Sequence, residues 1–320
     1  MEKAIIAENL VKIYEKDFRA VDDVSFEVSA GEVFGFLGPN GAGKSTTVLM
    51  LTTLGLPSSG HAKIGGYDVV HNAADVRRIA GVALQEIGLD PLMKSMELLT
   101  IQAQLFGMDK KTATRRGEEL LELVKLTQFM DRPVGKYSGG MRRRLDLALA
   151  LVHEPQILFL DEPTTGLDVA SRRDVWAEVR RLNRENGMTI FLTTQYLEEA
   201  DVLADRIAII DKGRLAAEGQ PEKLKAGLGT ESINITFENV ETAEKARDEL
   251  KDMAESAQLD RRTVRLYTPE AANKVPAVMN RLQDISLNPT SLTLTQPTLD
   301  DVFLQVTGQR FEAETEAEPA

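Results

Sequence analysis

Cysteine is absent from the 320 residues, which excludes a disulfide scaffold and any thiolate metal site and suits a reducing compartment. Aromatic residues are sparse at 5%, with a single tryptophan. Hydrophobic residues nevertheless reach 42%, so a sizeable core is expected. No apolar stretch approaches the roughly 20 residues that a helix needs to cross a bilayer; runs such as 147–152 and 157–160 are core-sized. The first residues turn polar too quickly for a signal peptide. The expectation is a soluble protein, with any pore it serves on another polypeptide. Basic residues number 38 against 50 acidic ones, for a formal net charge of −12. Such a surface repels phosphate backbones, so no nucleic acid partner is expected.

The apolar pattern divides the chain. Residues 5–14, 20–29 and 32–37 read as strands, rich in β-branched and apolar side chains, and 33–37 is apolar enough to be buried on both faces. A glycine-rich loop and a helical run over 44–54 follow, then strands over 60–69 and 79–84. Helical spacing over 93–106 and 115–128 predicts a helical insertion spanning about 86–136. Beyond it, helices (139–152, 171–186, 197–203) alternate with strands (157–160, 188–194, 206–211), the signature of a parallel sheet covered by helices. Residues 227–230 read as a linker. Strand 232–237, helix 242–253, two strands over 257–267, helix 270–283 and strand 291–295 then predict a small α+β domain. Thr298 opens a short helix with Asp301 three positions on, close to a capping box but with Asp for Glu. The predicted division is 1–226, 231–310, and an acidic disordered tail over 311–320.

Gly38-Pro39-Asn40-Gly41-Ala42-Gly43-Lys44-Ser45-Thr46 fits the P-loop pattern and sits between a buried strand and a helix, the context that confirms such a match. Glycines let successive backbone N–H groups wrap phosphates, and the following helix points its positive end at them. Lys44 is placed to reach the β- and γ-phosphates and the Ser45 hydroxyl to ligate Mg²⁺. Downstream, the buried run 157–160 ends in Asp161 and Glu162. Strand ends in an open parallel sheet form the ligand crevice; there Asp161 would hold Mg²⁺ through water and Glu162 would polarise an attacking water. Tyr137-Ser138-Gly139-Gly140-Met141 opens a helix and leaves backbone N–H groups exposed at its N-terminus, a second anion site. Taken alone, the segment reads first as a Ser138 helix cap with a glycine turn, and only its order among the other motifs favours the anion site.

In this order and spacing the motifs resemble an ABC transporter nucleotide-binding subunit over residues 1 to about 220: a P-loop ABC ATPase domain, α/β with a mixed sheet core and a helical insertion, followed by the small α+β domain. Ser138–Gly140 matches the family signature, with Tyr137 for the usual Leu and Met141 for the usual Gln. The resemblance implies a Q-loop glutamine at Gln85 that also approaches Mg²⁺, a D-loop over 163–168 that brings in Asp168, and an adenine-stacking ring at Tyr14, with Phe18 as the competing stacker. Asp168 reads equally as a helix N-cap. A head-to-tail dimer is also implied, each ATP held between the P-loop of one copy and Ser138–Gly140 of the other, with a separate transmembrane permease subunit. The protein would then be cytoplasmic and peripheral on the inner face of the cell membrane.

Where the family usually has a switch histidine, this chain has Gln195, which can donate to a γ-phosphate but cannot take a proton. It either keeps that contact or marks a slow site. Gln195, the run from Tyr137 to Ala148 and Pro297–Phe303 together are similar to the daunorubicin-resistance group of bacterial ABC exporter ATPases. That group drives the export of drugs or other hydrophobic molecules. The expected catalytic set is Glu162, Gln195 and Lys44. Arg142-Arg143-Arg144 reads as a solvated helix face, with a partner contact equally open.

Overall fold

Two long strands, Lys3–Tyr14 (β1) and Phe18–Ser29 (β2), pair antiparallel and lead into Val33–Leu37 (β3), where all five residues are buried. Helix Lys44–Leu51 (α1), strands Ser59–Ile64 (β4) and Tyr67–Asp68 (β5), helix Ala73–Ile79 (α2) and strand Ala80–Ala83 (β6) follow. The insertion consists of Ser95–Leu105 (α3) and Lys110–Leu123 (α4). Next come Gly139–Ala150 (α5), Ile157–Asp161 (β7), Val169–Asn186 (α6), Thr189–Thr194 (β8), Leu197–Leu203 (α7), Arg206–Asp211 (β9) and Arg214–Gly219 (β10). The chain continues through Pro221–Ala226 (α8), Ser232–Thr236 (β11), Val240–Leu250 (α9), Ser256–Asp260 (β12), Thr263–Tyr267 (β13), Ala271–Asp284 (α10), Ser291–Thr295 (β14) and Leu299–Thr307 (α11). This is a computed structural model, and it describes residues 2–86, 88–228 and 231–308. The predicted tail over 311–320 and the end of the predicted linker lie outside the described residues.

One compact unit runs to Ala217 and a second begins at Glu218. In the first, a six-stranded sheet has the order β10-β9-β3-β8-β7-β6, with β3, β8, β7, β6 and β9 joined by parallel pairing. A second sheet, β2-β1-β4-β5, is antiparallel. Strand side chains alternate between faces, and the six-stranded sheet therefore feeds two cores. Phe34, Phe36, Phe159 and Phe191 point to one, with Phe26 of β2 and Val48 and Leu51 of α1. Leu158, Leu160, Ile190 and Leu192 point to the other, built with Leu99 of α3, Leu120 of α4, Leu145 of α5 and Val179 of α6. Double-sided burial is why these strands read as unbroken apolar runs. The neighbouring strands β3, β8 and β7 run parallel, so the P-loop, Asp161 and Gln195 all emerge at one edge of the sheet.

Several elements differ from the predicted ones, each for a local reason. The strand expected over 60–69 is a hairpin of β4 and β5, turned at Gly65 and Gly66 with φ of 55° and 85°. Helix α4 starts earlier, because the Asp109 carboxylate accepts from the N–H groups of Lys111 and Thr112 and caps it. Helix α2 was not expected; it buries only Val76, too little for a period to show.

The second unit holds an antiparallel sheet ordered β12-β13-β11-β14. Ile233, Ile235, Val264 and Leu266 meet Ala243 and Leu250 of α9 and Val278 and Leu282 of α10. On the polar face Arg265 is ion-paired to Asp260 at 2.9 Å and to Asp301 of α11. The reciprocal Thr298–Asp301 capping box is present, with Thr298 N donating to Asp301 Oδ2 at 2.8 Å. Helix α8 also packs on α11 within this unit. Among the described residues no helix is long and apolar enough to cross a membrane.

Candidate functional site

The loop between β3 and α1 depends on its glycines. Gly43 has φ 106°, and a Cβ there would lie 2.4 Å from the Ala20 carbonyl oxygen; one on Gly38 would lie 2.4 Å from that of Ile210. Neither position accepts another residue without backbone movement. Lys44, 4% exposed, folds back so that its Nζ donates to the carbonyls of Gly38 (2.9 Å) and Pro39 (3.0 Å) and pairs with Glu162 Oε1 at 3.0 Å. Ser45 Oγ donates to Asp161 Oδ1 (3.2 Å), which also accepts from Thr193 Oγ1 (2.6 Å). Burial pushes the Asp161 carboxyl pKa up against the lowering pull of those two hydroxyls.

Glu162 sits in the left-handed region, at φ 49°. Its backbone N–H donates to Thr193 Oγ1 (3.0 Å), and its Oε2 accepts from Gln85 Nε2 (3.1 Å) and Thr165 Oγ1 (3.2 Å). Thus Lys44, Ser45, Gln85, Asp161 and Glu162 form one connected group. A cavity of about 300 Å³ is lined by Asn40, Gly41, Gly43, Lys44, Ser45, Thr46, Gln85 and Glu162, with Tyr14 and Phe18 at its wall. Both rings are exposed, 45% and 59%, so both offer a face. A larger cavity of about 580 Å³ lies at the opposite end of the strands, beside Gly31, Gln156 and Met188, and holds none of these groups.

Five expected residues, on three other segments, stand apart from this cavity. Ser138 caps α5, its Oγ accepting from Met141 N at 3.2 Å, and Ser138, Gly139 and Gly140 do not line the P-loop cavity of their own chain. Asp168 caps α6, accepting from Ala170 N (3.0 Å) and Ser171 N (2.9 Å), and these bonds hold its carboxyl below the usual range. Gln195 is 5% exposed and lies outside the lining. Its neighbour Thr194 accepts the Gly38 N–H at 3.2 Å, which ties the switch to the P-loop entry.

Other residues carry roles the motifs did not reveal. Glu199, fully buried on α7, accepts from Thr164 Oγ1 (2.8 Å) and Trp176 Nε1 (2.7 Å), joining the switch helix to the segment just after Glu162. Burial raises its pKa. Tyr137 is buried; its hydroxyl donates to the Phe129 carbonyl at 2.9 Å and lies 3.1 Å from Ser95 Oγ, a tie to α3 that a leucine cannot make. The arginine run is not a uniformly solvated face. Arg142 is exposed, but Arg143 is buried and Arg144 donates to the Val124 carbonyl at 3.0 Å. Helical phase explains this, since Arg143 falls on the stripe that includes Leu147 and Ala150.

Asp146, the counter-ion of Arg143 at 3.1 Å, has its pKa pushed up to about 6 by burial, the arginine offsetting only part of the rise. A folded-state pKa above the ordinary 3.8 means that this carboxyl favours folding when protonated and loses that contribution as pH rises from about 4 through 6. Asp146→Asn should remove it. The Tm of the wild type relative to the variant is expected to fall between pH 4.5 and 7 in paired thermal melts.

The ABC transporter family profile matches residues 21–165, and the C-terminal domain of DrrA1-3-like ATP-binding proteins matches residues 219–307. A daunorubicin resistance ATP-binding protein of Streptomyces coeruleorubidus is 41% identical over 307 residues, covering 96% of each chain. The chain belongs to the ABC transporter family. A doxorubicin resistance ATP-binding protein of Mycobacterium tuberculosis is 40% identical over 320 residues, covering 98% of this chain and 96% of that one. Among solved structures, a dimeric ATP-binding cassette in a post-hydrolysis state bound to ADP and phosphate superposes with a TM-score of 0.62 at 26% identity, over 68% of this chain and 98% of that one. This ABC subunit is therefore an ATP-binding ATPase, with the drug-resistance type of C-terminal domain following the cassette.

Proposed function

We propose that two copies of this ATPase close head to tail on two MgATP molecules and so power export of hydrophobic, drug-like molecules through a separate membrane subunit at the inner face of the cell membrane. One observation carries the chemistry: Glu162, Lys44, Ser45 and Gln85 meet at the wall of the P-loop cavity, and Asp161 joins them through the Ser45 hydroxyl. Lys44 can exchange Glu162 for a phosphate oxygen. That exchange releases the carboxylate to orient and deprotonate a water in line with the γ-phosphate. Ser45 Oγ and the Asp161 carboxylate are hard oxygen donors 3.2 Å apart, a set that suits Mg²⁺ with phosphate and water completing its shell, and Gln85 reaches the same cavity. The cation would stabilise the charge on the developing leaving group. Tyr14 and Phe18 offer the rings for adenine, Tyr14 in the stacking role.

The dimer is supported by what a single chain cannot do. Ser138–Gly140 presents helix N-terminal N–H groups but does not line its own P-loop cavity, and a solved relative in fold is itself dimeric. Exposed Leu92, Ile101 and Leu105 (85%, 48% and 78%) on the helical insertion give the membrane subunit an apolar surface to grip. The cargo class follows from the daunorubicin and doxorubicin resistance named for the relatives.

Mixing tests the arrangement. Lys44→Ala and Ser138→Arg are each expected to abolish turnover. In a head-to-tail mixed dimer both lesions fall in one site and the other site is intact, so combining the two inactive proteins should restore ATP hydrolysis. If the mixture stays silent, each signature does not serve its partner. Gln195 gives an independent check. A glutamine has no proton to gain near neutral pH, so turnover should show no inflection from this position. Gln195→His should introduce one near pH 6.5, and Gln195→Ala should slow turnover by about tenfold through loss of one γ-phosphate donor. Unchanged turnover in the alanine variant would remove Gln195 from the site.

A further inference from the structure

Arg143 is 5% exposed and every branch of its guanidinium is engaged. Nη2 donates to the carbonyl of Asp161 (2.8 Å) and Nε to that of Pro163 (2.9 Å), the residues on either side of Glu162. Nη1 donates to the carbonyl of Leu84 and to Asp146 Oδ2 (3.1 Å). Leu84 directly precedes Gln85, whose amide donates to Glu162. One side chain thus fixes the backbone that carries the catalytic carboxylate and the backbone that carries its glutamine partner. Glu162 needs such restraint, since a left-handed backbone at a non-glycine residue is strained and persists only where its surroundings impose it.

The other end of the connection is α5 itself. Ser138 caps that helix, and Arg143 follows five residues later, an axial distance of about 7.5 Å. A helix is stiff over that length, and hydrogen bonds weaken steeply with misalignment. Any shift of the Ser138–Gly140 end is passed to three carbonyl groups around Glu162 and Gln85. A lysine could not do this; it is a point charge with three rotatable donors, whereas the arginine fork holds its donors in one plane.

We propose that Arg143 is a positioning residue that transmits occupancy of the partner's ATP site, sensed by Ser138–Gly140, to Glu162 and Gln85 of its own chain. It rests on the head-to-tail reading above. Arg143 does not line the P-loop cavity; it sets the alignment of the groups that do, and so makes hydrolysis at one site faster when nucleotide occupies the other.

The test uses full-length protein carrying Arg143→Lys, Arg143→Gln, or Arg142→Gln as an exposed control, with ATP turnover against ATP concentration, binding of a fluorescent ATP analogue, and thermal melts. Arg143→Lys should lower kcat about tenfold with KM and analogue affinity within about twofold, and bring the Hill coefficient for ATP toward 1. The control should match the wild type. Unchanged kcat and cooperativity in either folded Arg143 variant would overturn the proposal, as would a loss that tracks lowered Tm and returns on cooling. The mixed dimer supplies a second measurement insensitive to folding. Arg143→Lys placed on the chain that retains Lys44 should reduce the restored turnover, and placed on the Lys44→Ala chain should spare it. Equal loss in both placements, or loss in neither, overturns the proposal. A mixture of Lys44→Ala and Ser138→Arg proteins that fails to recover would instead fell the head-to-tail reading, and this proposal with it.

Discussion

Glu162→Gln should reduce steady-state ATP turnover by about 10²–10⁴-fold, the range a positioned general base supplies, while ATP binding survives. The substitution keeps the shape that the site is built around. A glutamine can still occupy the left-handed backbone between the carbonyls held by Arg143, and its amide oxygen can still accept from Gln85 or Thr165. Two things are lost. The amide cannot take a proton from water, and it no longer attracts the Lys44 ammonium, which lies 3.0 Å from Oε1 in the wild type. Removing that competitor favours Lys44 on phosphate, so the variant should accumulate as an ATP-bound dimer. Phosphate release, with light scattering in the presence and absence of MgATP, measures both effects. Turnover within about tenfold of wild type would show that another group activates the water.

Phe191→Ala should be the most damaging single truncation in the cassette, at about 3–5 kcal/mol. Phe191 is fully buried, and its ring lies 5.5–5.8 Å from those of Phe26, Phe34, Phe36 and Phe159. Truncation leaves four rings facing a cavity and forfeits both buried area and aromatic contacts. The position also matters for catalysis. Phe159 and Phe191 lie two residues before Asp161 and Thr193 on paired strands, so the ring cluster supports the strand ends that carry Asp161 and the hydroxyl bonded to it. A fall in the urea midpoint with an unchanged slope is the expected signature. Alanine at the exposed Leu92, outside any core, should change stability by less than about 0.5 kcal/mol.

How much of this was legible in the sequence depended on whether a residue's role was local. The P-loop glycines, Lys44 and the Asp161-Glu162 pair announce themselves because backbone geometry and strand-end position dictate the residue type. The strands β3, β7 and β8 were legible because burial on two faces leaves no polar interruption. The capping function of Asp168 was legible as one of two readings, since a cap is a matter of three residues. Arg143 was not, because its partners are carbonyls at Leu84, Asp161 and Pro163, far away along the chain and invisible as side chains. Glu199 escaped for a similar reason; its donors come from Thr164 and Trp176 on other segments, and a lone Glu on a short helix looks like a surface residue. Helix α2 and the strand β10 were missed because each exposes more than it buries.

The six-stranded sheet acts as a party wall between two cores. The P-loop helix α1 is anchored on one side through Val48, Met50 and Leu51, and the signature helix α5 on the other through Leu145, Leu147 and Ala148. In the proposed head-to-tail dimer, a nucleotide held by the chain's own P-loop would load one room, and a nucleotide gripped through Ser138–Gly140 would load the room next door. Glu162 stands at the end of the wall itself, where a tilt of either side is felt, so the proposed general base would compare the two loads rather than report one of them.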